Sequence, residues 1–111
     1  MALRSLGKVT TNAGTLVRLT NNESDPTLRY VAHSFLVEVL STNTGKIYVG
    51  SSTMNRTTLA GVYAILPPPT ANIFSSFTAT VTQAAGAFSL AEVWLDVDTN
   101  SEGCLVSAVK A

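Results

Sequence analysis

The chain is 111 residues long, enough for one domain that buries roughly two-thirds of the surface its unfolded form exposes. Seven basic residues balance seven acidic ones, which argues against nucleic acid as the main partner, because phosphate binding needs a positive excess. A single cysteine excludes an internal disulfide, and no run approaches the ~20 apolar residues of a membrane span or resembles a signal peptide, so no membrane partner is expected.

Residues 1–14 carry little apolar content and close on the turn signal Asn12-Ala13-Gly14, so they read as an N-terminal arm or a short edge strand ahead of a β-domain spanning 15–111. Thr15 to Thr20 (TLVRLT) is a β-branched strand, and Asn21 to Pro26 is a polar loop. Leu28 to Gly50 reads as the central hairpin. Val31, Phe35, Val37 and Val39 share one side of its first strand, and Tyr30, Ala32, Leu36 and Leu40 share the other, as expected where a sheet is covered on both faces. Asn43-Thr44-Gly45 supplies a three-residue reversal with Gly45 suited to a left-handed position, and Lys46 to Val49 returns. Gly50 to Thr58 is a loop, Leu59 to Leu66 another buried strand that could begin with a helical turn, and Pro67-Pro68-Pro69 ends it by removing backbone donors. Ile73 to Thr82 alternates, with Phe77, Ala79 and Val81 inward. The chain then turns near Gly86 into Phe88-Ser89-Leu90. Val93, Leu95 and Val97 point inward from the next strand, opposite Glu92, Trp94 and Asp96. Asp98 to Gly103 turns, and Cys104 to Val109 closes the domain. About eight short strands without helical periodicity predict an all-β fold: a single-domain antiparallel β-sandwich or small β-barrel, jelly-roll-like.

Charged residues make up 13% of the chain, about half the usual ~25%, so copies repel one another little and assembly is favoured. Residues 1–56 hold Arg4, Lys8, Arg18, Arg29, Lys46 and Arg56 against Glu23, Asp25 and Glu38. Residues 57–111 hold Lys110 against Glu92, Asp96, Asp98 and Glu102. A fold that separated these halves would allow head-to-tail pairing between copies.

Reactive groups are sparse. The single His33 and single Cys104 each sit in an apolar strand pattern, where packing is the ordinary role, and no G-x-S-x-G elbow or phosphate loop accompanies them. No catalytic residue and no cofactor is expected. Asp96, Asp98 and Glu102 offer hard oxygen ligands for calcium, but their spacing lacks the order of a dedicated loop, and a solvated acidic hairpin end is the simpler reading. Trp94, on the face of Glu92 and Asp96, fits either a subunit contact or a second core layer.

The runs TLVRLT (15–20), NTGKIYVG (43–50), MNRTT (54–58), AGV (60–62), LPPP (66–69), LDV (95–97) and EGCLVS (102–107) together resemble a family of short virion structural proteins of tailed phages, capsid decoration (cement) proteins like those of cyanophage heads. The resemblance covers about Thr15 to Ala108, with Cys104 standing where a small aliphatic residue is expected. It implies a homotrimer, made in the host cytoplasm, that binds the major capsid protein on the exterior of an icosahedral head and stabilises the shell without catalysis. The expected contacts are Arg4, Leu6 and Lys8 of the arm, Asn43 and Lys46 of the first turn, Met54 and Arg56 of the following loop, and Trp94. A tail or head–tail joining component is the alternative within structural proteins. Outside that class stands a carbohydrate- or calcium-binding module with Trp94, Asp96 and Asp98 as its platform.

Overall fold

The computed structural model describes residues 3–20, 32–71, 73–80 and 92–110. Eight strands run β1 (Leu3–Thr11), β2 (Val17–Arg18), β3 (Ala32–Val39), β4 (Ile47–Gly50), β5 (Val62–Leu66), β6 (Ser76–Thr80), β7 (Trp94–Val97) and β8 (Glu102–Lys110). The expected polar loop at 21–26, the residues Tyr30 and Val31, and the expected turn and strand at 81–90 lie outside the described residues.

The strands form two open four-stranded sheets with orders β1-β8-β3-β6 and β2-β7-β4-β5, so the fold is a β-sandwich and not a closed barrel. All pairings are antiparallel, and each sheet contains the pairs first-with-last and third-with-sixth, or second-with-seventh and fourth-with-fifth. This nesting is a long hairpin folded across itself, the arrangement of a jelly roll. Only β4 and β5 are joined within one sheet; every other connection crosses the sandwich.

That topology corrects the central hairpin. β3 and β4 are both interior strands, but of different sheets, and the turn between them is a corner. Gly45 does not take the left-handed conformation expected of it. Its lack of a side chain serves space instead, since a Cβ there would stand 2.6 Å from Thr99 Oγ1. The strand expected from Leu59 starts later, at Val62, because an Asn55–Leu59 turn precedes it (Leu59 N donates to Asn55 O at 2.7 Å) and Leu59 takes φ 65°.

Alternation builds the core. Phe35, Val37 and Val39 of β3 and Cys104, Val106 and Ala108 of β8 face Ile47 and Val49 of β4, Leu95 and Val97 of β7, and Leu66 of β5. Phe77 of β6 packs at the rim, its ring 5.9 Å from that of Phe35 in an edge-on arrangement. Burying each such side chain contributes about 1.5–3 kcal/mol, which makes this double layer the source of the fold's stability. The opposite side of β3, at Leu36, and Leu40 just beyond the strand are half-buried, less than the cover expected on both faces.

β1 shows how a backbone irregularity overrides alternation. Leu6 and Val9 are both core residues although three positions apart. A bulge between Ser5 and Gly7, with Gly7 at φ 81°, shifts the register against β8 and turns both side chains inward. Residues 3–11 thus form an edge strand, one of the two forms expected of residues 1–14, and Leu6, expected as a contact, is a core residue of it.

Gly103 is fixed by close approach. A Cβ on it would overlap the Val9 carbonyl oxygen and lie 2.8 Å from Thr10 Cα. Gly103→Ala is expected to lower stability by about 1–3 kcal/mol, the range of overpacking a tight site, seen as a lower denaturant midpoint with an unchanged slope.

Candidate functional site

Three of the sheet-crossing connections meet at one end of the sandwich. Asn43, buried in the β3–β4 corner, donates its Nδ2 to the Gly103 carbonyl at 2.7 Å and accepts from Gly103 N at 3.3 Å. Glu102 accepts from Thr44 N (2.7 Å) and Thr44 Oγ1 (2.9 Å) on one oxygen and from Gly45 N (2.9 Å) on the other. From the β1–β2 turn, Ala13 N donates to Asn100 Oδ1 and Gly14 N to Asp96 Oδ1, both at 2.9 Å. Ser101 N donates to Thr11 O. Burial pushes the Glu102 carboxyl upward, but its three hydrogen bonds together outweigh burial and hold it below the ordinary 4.5.

A second cluster lies beside it. The β4–β5 loop folds back over the outer face of the second sheet and seats Met54, 6% exposed, against Gly50 and Gly61. Arg56 then reaches β7, donating to Val97 O at 3.1 Å and Asp98 Oδ1 at 3.0 Å, with Asp96 Oδ2 3.6 Å from its Nε. Tyr48 donates its hydroxyl to Asp98 Oδ2 at 3.1 Å. Burial first, then this carboxylate, raises the phenol above 10.0.

These contacts reassign most of the residues expected to meet a partner or a metal. Asp96, Asp98 and Glu102 do not converge: Glu102 faces the β3–β4 corner, while the two aspartates are held by Arg56, Tyr48 and Gly14. Among the described residues no three His, Cys, Asp or Glu side chains are placed to share a cation. Asn43 and Met54 are buried, because each finds inward partners that a loop's polar composition conceals. Arg56 pairs with Asp96 and Asp98 of its own chain. The nested pairing lays strands of the more basic half of the chain beside strands of the more acidic half, so the two halves do not form separate sheets. Arg4, Lys8 and Lys46 are exposed.

His33 and Cys104 are also apart. In the β3–β8 ladder Cys104 stands opposite Val39, six residues from His33, or about 20 Å at strand spacing. Cys104 is fully buried, and burial pushes its thiol up to about 12.

Among the described residues two surfaces stand out as candidates for interaction. The first is an open cleft of about 450 Å³ on the second sheet, lined by Arg18, Ser51, Ser52, Tyr63, Glu92 and Trp94. Trp94 stands opposite Arg18 in the β2–β7 ladder, and the guanidinium carbon lies 5.0 Å from the ring centroid, a cation–π stack. Trp94 is therefore half-buried against its own chain's arginine and outside the core cluster, and the exposed Glu92 lines the same cleft. Its proposed platform partners Asp96 and Asp98 are engaged elsewhere. Sequence reasoning missed Arg18 and Tyr63, since nothing local links β2, β5 and β7.

The second surface is apolar. Of the six exposed large hydrophobic side chains among the described residues, Leu59, Tyr63, Ile65, Ile73 and Phe74 fall within one stretch of chain. That stretch is edge strand β5 with the turn before it and the proline-rich connection after it. An edge strand carrying exposed apolar side chains is a template for association.

Because Glu102 is depressed, its contribution to stability is complete above the unfolded-state pKa and is lost as pH falls through the folded-state value. Glu102→Gln is expected to cost about 1–3 kcal/mol at neutral pH, the penalty for disrupting buried hydrogen bonds. It should also flatten the loss of stability on acidification below pH 4.5; denaturant titrations of both proteins across that range measure this. Cys104 is expected to react with an alkylating reagent only at the rate of unfolding, which a labelling time course with and without denaturant checks.

No protein-family model, curated protein or solved structure matches the chain.

Proposed function

We propose that this protein is a structural subunit of a virion: a capsid decoration protein that self-associates, as a trimer, and cements the outer surface of a tailed-phage head by binding the major capsid protein. The carrying observation is the apolar stretch from Leu59 to Phe74 on an edge strand, outside the closed core. Such a surface is costly for an isolated monomer and useful for a subunit. The remaining chemistry agrees. The carboxylates Asp96, Asp98 and Glu102 tie connections together, the thiol is sealed in the core, and among the described residues no buried side-chain polar atom lacks a partner. A rigid module of this kind supplies area and shape. Weak individual contacts suffice, because a shell presents many symmetric sites and multivalency multiplies them.

Arg4, Lys8 and Lys46, exposed on the surface, are the charged residues retained as contacts. Their role is to set specificity and on-rate at the rim of an interface whose affinity comes from Tyr63 and Ile65.

The test is cosedimentation with phage heads that lack the protein, alongside sizing chromatography of the purified chain. The wild type is expected to elute as an oligomer and to pellet with heads at a saturating ratio. Tyr63→Ser with Ile65→Ser, both at exposed positions, is expected to keep the melting temperature while weakening head binding at least about tenfold, or about 1.4 kcal/mol. Binding to tails and not heads would replace the head reading by a tail component. A monomer that binds neither would overturn the proposal.

A further inference from the structure

We infer that the cleft between β2, β5 and β7 is a carbohydrate-binding site that takes a neutral pyranose. This goes beyond the assembly reading and does not depend on it. The row of residues running across the second sheet, Arg18, Trp94, Gly50 and Val62, comes from four strands in register. At its exposed side β4 gives way to Ser51 and Ser52, and Glu92 precedes β7. A register shift between Val49 and Gly50 makes Tyr63 the extra residue of a bulge in β5, the kind of irregularity that re-aims a side chain. Tyr63 is accordingly 57% exposed, although it lies within a strand.

The lining matches the two demands of a sugar. A pyranose presents a patch of C–H groups, which an exposed aromatic ring receives; Tyr63 offers that ring, and its hydroxyl stays wet. Its hydroxyls need donors and acceptors close together. Arg18 is donor-only, Glu92 acceptor-only, and Ser51 and Ser52 are both. Trp94 acts through Arg18: its ring, with the guanidinium carbon 5.0 Å from the centroid, holds the cation at the cleft by cation–π attraction. The cleft volume of about 450 Å³ lies in the range of small-ligand sites, about 300–1,000 Å³. One cation set against one carboxylate leaves the lining without net charge, which disfavours phosphates and free metal ions and favours a neutral polyol held by charge-assisted hydrogen bonds.

Trp94 is the only tryptophan, so fluorescence excited selectively in tryptophan reports this cleft. The purified full chain is titrated with neutral trisaccharides of glucose, galactose, mannose and N-acetylglucosamine, with N-acetylneuraminic acid as the charged arm. At least one neutral trisaccharide is expected to give a saturable change. Tyr63→Ala and Glu92→Gln are each expected to weaken it about tenfold or more, the loss of one good contact, with unchanged melting temperatures. Silence toward all four neutral sugars, a response confined to the acidic sugar, or equal binding by both variants would overturn the inference. Because the titration contains no phage particle, its failure leaves head binding untouched, and the converse holds.

Discussion

Glu102 and Gly103, two adjacent residues at the start of β8, connect most of this molecule. The carboxylate of the first receives the backbone of the β3–β4 corner, and the backbone of the second receives the Asn43 side chain. On its other side Gly103 lies so close to Val9 and Thr10 that only hydrogen fits. The last strand is thereby fixed to the first, and the corner that carries the chain from one sheet to the other is fixed to both. In a fold where all but one connection crosses the sandwich, such corners decide the topology. They are polar and partly buried, so an unfilled hydrogen bond there would cost more than a lost surface contact.

The strands themselves were legible. Phe35, Val37 and Val39, and Val93, Leu95 and Val97, show their inward faces through simple alternation, and all six are buried. What alternation does not carry is sheet membership. A three-residue turn such as Asn43-Thr44-Gly45 serves a hairpin and a corner equally well, and the residues that choose between them, Glu102 and Gly103, lie nearly sixty positions away. The same limit applies to the site. Asn43, Met54 and Arg56 have the composition of exposed loop residues, yet each turns inward to a partner that only the closed fold supplies. The inward turn of Leu6 has no alternation signal in a segment of low apolar content, because the Gly7 bulge that produces it breaks the period-two rule. Arg18 and Tyr63 carried no signal, since a stacked pair across two strands and an extra residue in a third are properties of register.

The described surface divides into three regions as a result. Where polar side chains are abundant, at the corner end, they are engaged in holding connections together. Five of the six exposed large apolar side chains among the described residues lie along β5, an edge strand, and its flanks. The cleft of Arg18 and Trp94 occupies a third region, charged and aromatic, that neither closes the fold nor forms part of the apolar stretch beyond Tyr63.

The stretch from Leu59 to Phe74 is the face proposed to meet other chains. Hydrogen exchange of the backbone amides, compared between free protein and protein bound to phage heads, reads this directly. Slower exchange concentrated in residues 59–74, with the outer face of the first sheet around Leu36 and Leu105 unchanged, is the predicted result. Protection at Leu36 and Leu105 with none along β5 would contradict it.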